Sequence, residues 1–369
     1  MVSADGYLLP STILQIAARL MLQRRANLAW LIFLVFRYSD KVIFFSTILL
    51  TRGQPTCDRG DSNTKKSTRK HTMPHETPSY RTEFGAAHDS ASGATQEPWE
   101  FVLKLYTRHL GVKLPMAARP WCGIVVQDGA NLILGLDKYQ PMVGQQDGMD
   151  QAKAIAQTME RYNSYQPRQW DDGKDAEEFE AFKDYIPDMI LHAVEGVREA
   201  FKHANMIEGE YQRWHNEPKV DVPIMLYQDY SGGGKQTDLK CKPPLRNPPK
   251  KDGTRSWRVP KVEGITPTAQ QQMQQSVYRK ATGEPPSLLF VSASGYYIAD
   301  EDNCDLLKPE ALDRAYADVV RSWQIKQNLL KAANGSWRNL AGLVQPDFNE
   351  IARRHGPSIV DVANQLWRF

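Results

Sequence analysis

The spacing of apolar positions changes part-way along the chain, from a helical period to a strand-like one. Between residues 99 and 110, Phe101, Val102, Leu105 and Leu110 recur near helical spacing and predict an amphipathic helix. Residues 123–136 are largely apolar and predict a second helix, 150–162 a third, and 175–203 a fourth that Pro187 interrupts. In this last stretch Phe179, Phe182, Ile186, Ile190, Val194, Val197 and Phe201 form one stripe, which reads as core and not as a cofactor-binding face. After Asn205 the period falls to two, and 208–214, 223–230 and 236–242 read as strands. A Pro- and Lys-rich loop, 243–260, leads to a helix over 268–282, strands over 287–293 and 296–299, and a long helix over 309–333. Gln345-Pro-Asp-Phe348 is a turn signal, and 346–369 reads as a tail. Helices, a meander of strands, a crossover helix and a further strand predict an α/β (α+β-like) fold, a central mixed sheet flanked by helices after an N-terminal helical region.

The first 72 residues differ from this body. Two apolar runs, 26–36 and 42–50, are split by Arg37, Asp40 and Lys41 and followed by a Ser-, Thr-, Lys- and Arg-rich stretch to His71. Neither run reaches the roughly 20 residues that span a bilayer, so no stable membrane insertion is expected. The apolar part begins late and no small-residue cleavage site follows it, which disfavours a secretory signal. With 11 Lys and Arg against 4 Asp and Glu, the segment has the basic bias of a transit peptide. The reading favoured is nonetheless a translation start at Met73, with 1–72 a non-native leader. Residues 73–97, rich in Thr, Ser, His and Gly, then read as a linker, and the folded body as 98–345. Cys57, Cys122, Cys241 and Cys304 are scattered, with no spacing that suits zinc or a disulfide framework. An intracellular, cytoplasmic setting is expected.

Chemistry concentrates in Tyr227-Gln-Asp-Tyr-Ser-Gly-Gly-Gly-Lys-Gln-Thr-Asp-Leu-Lys240, which sets Asp229, Asp238 and Lys240 on two strands around a glycine turn. Asp238 and Lys240 share one face of their strand, with Leu239 and Cys241 on the other. A 231–234 loop placing Tyr230 opposite Lys235 puts Asp229 diagonal to Asp238, roughly 7–8 Å away at the backbone, a gap that two carboxylates bridge onto one cation. A Mg²⁺ so held would polarise a phosphodiester and lower the pKa of a bound water. As a bare pattern, two acids and a lysine are common on surface hairpins, and the apolar neighbours of Asp238 are what set this one apart. Beyond it lies a basic run with an embedded tryptophan. Lys242, Arg246, Arg255, Trp257 and Arg258 are candidates for gripping phosphates and stacking a base, against the plainer reading of a solvated loop.

These residues, in this order, resemble the PD-(D/E)XK nuclease superfamily, in its RecB-type and phage lambda-exonuclease-like branch. Asp229 resembles the family's first acid, and Asp238-Leu239-Lys240 its D/E-x-K tripeptide. Gln274 and Tyr278, at i and i+4 on the following helix, resemble its Gln-x3-Tyr motif, and Gly123-Ile-Val-Val-Gln127 its Gly-x3-His with glutamine in the histidine position. The resemblance spans about 115–300 and implies a restriction-endonuclease-like core. It implies Mg²⁺ or Mn²⁺ held by Asp229, Asp238 and the Leu239 carbonyl, with Gln127 and an upstream acid as further ligand candidates. For that acid Glu160, Glu195 and Glu210 are open, with Glu210 ranked first because its strand leads into the site. The catalytic set implied is Asp229, Asp238, Lys240, Gln274 and Tyr278. The activity implied is a metal-dependent DNA exonuclease of phage-type recombination or DNA degradation. The partners implied are DNA, a homo-oligomer by analogy with ring-forming relatives, and a single-strand annealing or binding protein. The alternatives are a structure-selective endonuclease, a non-catalytic DNA-binding protein on a decayed nuclease fold, and a membrane-anchored structural protein that depends on 1–72.

Overall fold

The structure, a computed structural model, describes residues 34–38, 41–45, 77–114, 116–136, 148–165 and 174–368. The chain divides into two units, Met1–Lys70 and His71–Phe369. In the first, β1 (Leu34–Tyr38) and β2 (Lys41–Phe45) pair antiparallel, Leu34 opposite Phe45. The rest of the expected leader, including the proposed start at Met73, lies outside the described residues. Among the described residues no helix is long and apolar enough to cross a membrane.

The second unit is a mixed sheet flanked by helices. In chain order it runs through α1 (Ser79–Thr82), β3 (Asp89–Ser90), α2 (Pro98–His109), α3 (Ala118–Leu134), α4 (Gln151–Ser164), α5 (Lys174–Phe182) and α6 (Ile186–Ala200). The strands β4 (Glu208–His215), β5 (Ile224–Gly232) and β6 (Lys235–Cys241) follow, then a short pair, β7 (Leu245–Arg246) and β8 (Trp257–Arg258). Helix α7 (Ala269–Thr282) crosses over to β9 (Pro286–Ser292), which turns back into β10 (Gly295–Ala299). The chain closes with α8 (Pro309–Ala333), α9 (Trp337–Gly342), α10 (Phe348–His355) and α11 (Pro357–Trp367).

The sheet order is β10-β9-β6-β5-β3, with β4 also on β5. β6 and β9 run parallel, as a crossover helix requires, and β9 is buried along nearly its whole length, which explains its unbroken Leu-Leu-Phe-Val run. One face packs α3 and α6 over Tyr230, Leu239, Leu289 and Val291. The other packs α7 and α8 over Ile224 and Leu226, with the wholly buried Trp323 at its centre. Burying each such side chain contributes about 1.5–3 kcal/mol. Helix α7 starts where it does because Thr268 and Gln271 form a reciprocal cap: the threonine hydroxyl accepts from Gln271 N at 3.2 Å, and the Gln271 side chain accepts from Thr268 N at 2.9 Å.

Two expectations about boundaries are corrected. The linker expected over 73–97 is folded from Ser79 onward: β3 pairs in parallel with the start of β5, and the wholly buried Arg81 bonds Asp89 and Asp221, each at 3.1 Å. The tail expected over 346–369 is two helices, whose Ile351, Ile359 and Ala363 pack against Trp99 and Leu103 of α2. Neither segment has a long periodic stretch. Buried pairing holds the first, and Gly356-Pro357 cuts the second into two short helices.

Candidate functional site

The hairpin register differs from the expected one by two residues. Gly232 stands opposite Lys235, and the turn is Gly233-Gly234, with φ of 55° and 75°. Two consecutive positive φ values make the tight primed turn whose twist suits a hairpin, and glycine adopts them without steric cost. Asp229 and Asp238 therefore stand directly across from one another. The β5–β6 ladder ends one step earlier, at Tyr230 opposite Thr237, and the two strands part at the acid pair. At this fork the Asp229 side chain takes the place of a main-chain rung, its Oδ2 accepting from Leu239 N at 2.8 Å.

The pleat of β5 slips at the same point. Ile224 and Leu226 face the α7–α8 side, whereas Tyr230 packs into the α3–α6 core. Across β4, the residue standing opposite Asp229 is Glu210, whose φ of 34° is the left-handed region that non-glycine residues seldom occupy. The fork opens into a cleft of about 300 Å³ between α3 and α7. It brings together Asp229, Asp238, Leu239, Lys240, Gln127, Gln274 and Tyr278 from the sequence-derived set. It does not bring in Glu210, nor Glu160 and Glu195, which are exposed on α4 and α6. Among the described residues no group of three or more His, Cys, Asp and Glu is placed to hold a metal, so the acids at the fork are two.

Burial of Asp229, the adjacent Asp238 charge and a hydrogen bond to Asp238 push the Asp229 carboxyl well above the usual range. Lys240 pairs with Asp238. Burial pulls the Lys240 ammonium down, but Asp238 and Asp229 outweigh it and the net shift is upward, so the lysine is held charged. From Lys240 a relay runs along α7: Nζ donates to Gln274 Oε1 at 3.2 Å, Gln274 Nε2 to the Tyr278 hydroxyl at 2.7 Å, and that hydroxyl to the Tyr227 carbonyl at 2.5 Å. Gln274 and Tyr278 thus spend these groups on Lys240 and the β5 main chain. Burial, then the two aspartates, raise the Tyr278 hydroxyl well above its ordinary value. Across the cleft the Gln127 amide nitrogen is buried with no hydrogen-bond partner.

The basic run is dispersed. Lys242 lines a neighbouring recess, its ammonium over the Phe290 ring at 5.1 Å. Arg246 pairs with Glu177, and Arg255 and Arg258 are exposed. Trp257 sets its ring edge-to-face with Phe182 at 6.0 Å, anchoring β8 to the core. Sequence reasoning missed Gln275, which is wholly buried and donates to Asp238 Oδ2 at 3.1 Å. It also missed Tyr227 and Ser90 to Ser92, which line the cleft. Two-residue periodicity placed Tyr227 on the Asp229 side of β5, the one signal that pointed to it.

No family model and no curated protein matches this chain. Among solved structures, one described as "Crystal structure of SSO0001" aligns over 54% of this chain and 96% of its own, at 12% identity and a TM-score of 0.23. So low a score carries neither fold nor function from one to the other.

Proposed function

We propose that the protein is a metal-dependent deoxyribonuclease that hydrolyses phosphodiester bonds, acting as an exonuclease. The observation that supports this best is the convergence of Asp229, Asp238 and Lys240 at the parting of β5 and β6, inside a cleft that also holds Gln127. The donor set fits Mg²⁺ or Mn²⁺: two carboxylates face one another, with the Leu239 main chain between them, and a magnesium site commonly takes one or two carboxylates and completes itself with water and substrate phosphate. Asp229, Asp238 and the Leu239 carbonyl would hold the ion, which supplies a polarised phosphate and a water of lowered pKa.

Lys240, charged beside the acids, stabilises the negative charge that grows on phosphorus oxygens in the transition state. Gln274 and Tyr278 hold that lysine and the facing strand at fixed spacing. Gln275 fixes the rotamer of Asp238. Gln127 on α3 forms part of the opposite wall of the cleft. The exposed Arg255 and Arg258 add phosphate contacts that weaken with salt.

The test is digestion of end-labelled linear duplex, single-stranded and closed circular DNA with Mg²⁺, comparing wild type with Asp238→Ala and Lys240→Ala. Loss of linear but not circular DNA, abolished in both variants, is expected. Nicking of circles at the same rate would make the enzyme an endonuclease. Undiminished cleavage by the variants would move the site elsewhere.

A further inference from the structure

We propose that the site takes its DNA as an unpaired strand, with Tyr227 stacking the base beside the scissile phosphate and the next base lodged in the apolar recess beyond Lys240. This rests on the nuclease reading and adds to it the form of the substrate.

Three observations meet here. Tyr227 is 44% exposed on a strand whose other residues are mostly buried, and it lines the same cleft as Asp229 and Asp238. Its carbonyl is held by Tyr278 at 2.5 Å, so its position relative to Lys240 is fixed by the relay. An exposed aromatic side chain on a pinned main chain is a stacking platform, and every base offers it a π-face.

On the other side of Lys240 lies a recess of about 540 Å³. Pro120, Pro243, Leu245, Pro260 and Ile265 give it apolar walls, Lys242 brings a positive charge, and Leu245 is 37% exposed. Pro120, Gly123, Leu239 and Lys240 line both the recess and the cleft, so the two are continuous across the lysine. A strand with its phosphate at Lys240 reaches Tyr227 on one side and the recess on the other.

The volumes favour one strand. Each cavity, at about 300 and 540 Å³, falls in the range of small-ligand pockets, which suits one nucleotide of a strand. Bases within a duplex stack on each other and leave neither Tyr227 nor the recess anything to hold. A blunt end must therefore fray before its terminal phosphates reach the acids.

The experiment measures equilibrium binding of the full chain in EDTA at low salt. The probes are a short single-stranded DNA oligonucleotide carrying a fluorescent adenine analogue at successive positions, and the blunt duplex of the same sequence. The single strand is expected to bind at least about 10-fold more tightly than the duplex, the scale of a lost base stack. Fluorescence should be quenched at one position in wild type and Tyr227→Phe but not in Tyr227→Ala, and Leu245→Glu should release the neighbouring base. Tyr227 and Leu245 are exposed, so melting temperatures should not change. Equal affinity for duplex, or the same quenching in Tyr227→Ala as in wild type, would overturn the proposal. Mg²⁺-dependent cleavage is followed in parallel. Cleavage indifferent to Tyr227→Ala rejects this proposal alone. The expected quenching without any cleavage supports this mode of strand binding while rejecting the nuclease reading.

Discussion

Gln275 donates to Asp238 from a wholly buried position on α7, at 3.1 Å, so one carboxylate of the acid pair is oriented by a neutral amide as well as by Lys240. Removing that donor leaves a buried acceptor short of a partner, a loss of about 1–3 kcal/mol. Gln275→Leu should therefore lower Mg²⁺-dependent cleavage by roughly 10- to 100-fold while the chain stays folded. Rates alongside a melting curve check this, and a wild-type rate would show that Lys240 alone orients Asp238.

Arg81 ties the segment before α2 to the sheet. Arg81→Ala would strip a buried guanidinium from Asp89, itself buried, and from Asp221. Breaking one side of a buried ion pair costs about 3–5 kcal/mol. Urea denaturation should show a midpoint lowered accordingly, and an unchanged midpoint would mean that residues 79–95 are dispensable to the fold.

Lys326 should make stability rise in mild alkali. Burial lowers its ammonium from 10.5 to about 8, against the opposing pull of Asp89 and Glu100, while it bonds the Gly93 carbonyl and sits over the Phe101 ring. Below pH 8 both states carry the charge and the burial penalty is complete. From about pH 8 to 10.5 the folded lysine is neutral while the unfolded one still binds a proton, so stability increases with pH. The span amounts to about 3 kcal/mol. Denaturation of wild type and Lys326→Met across this window measures it as a difference in slope. Parallel curves would rule it out.

Gly196 marks where α6 meets the sheet. A Cβ there would lie 2.4 Å from Leu289 Cδ1, so Gly196→Ala forces the buried Leu289 side chain or the helix to shift. Overpacking of this kind costs about 1–3 kcal/mol, and Leu289→Val in the same chain should recover part of it. Thermal melting of the single and double variants tests both statements.

Much of this architecture is written in local pattern. The 309–333 helix matches its predicted limits because a proline opens it and an apolar stripe runs its length. The acid pair was legible too, but its register was not: three adjacent glycines allow several turns, and only the φ values of Gly233 and Gly234 choose between them. Gln275 was hidden among five glutamines from 270 to 275, where composition does not reveal which one faces an aspartate. Residues 79–95 were unreadable for a different reason. Their order comes from Arg81 meeting Asp221, 140 residues away, and no window along the chain contains that contact.

The relay from Lys240 through Gln274 and Tyr278 to the Tyr227 carbonyl passes along a single helix edge. A drift of α7 therefore carries the lysine and the opposing strand with it. The charge beside the acid pair and the width of the cleft are mechanically one variable, and mutations along that edge change them together.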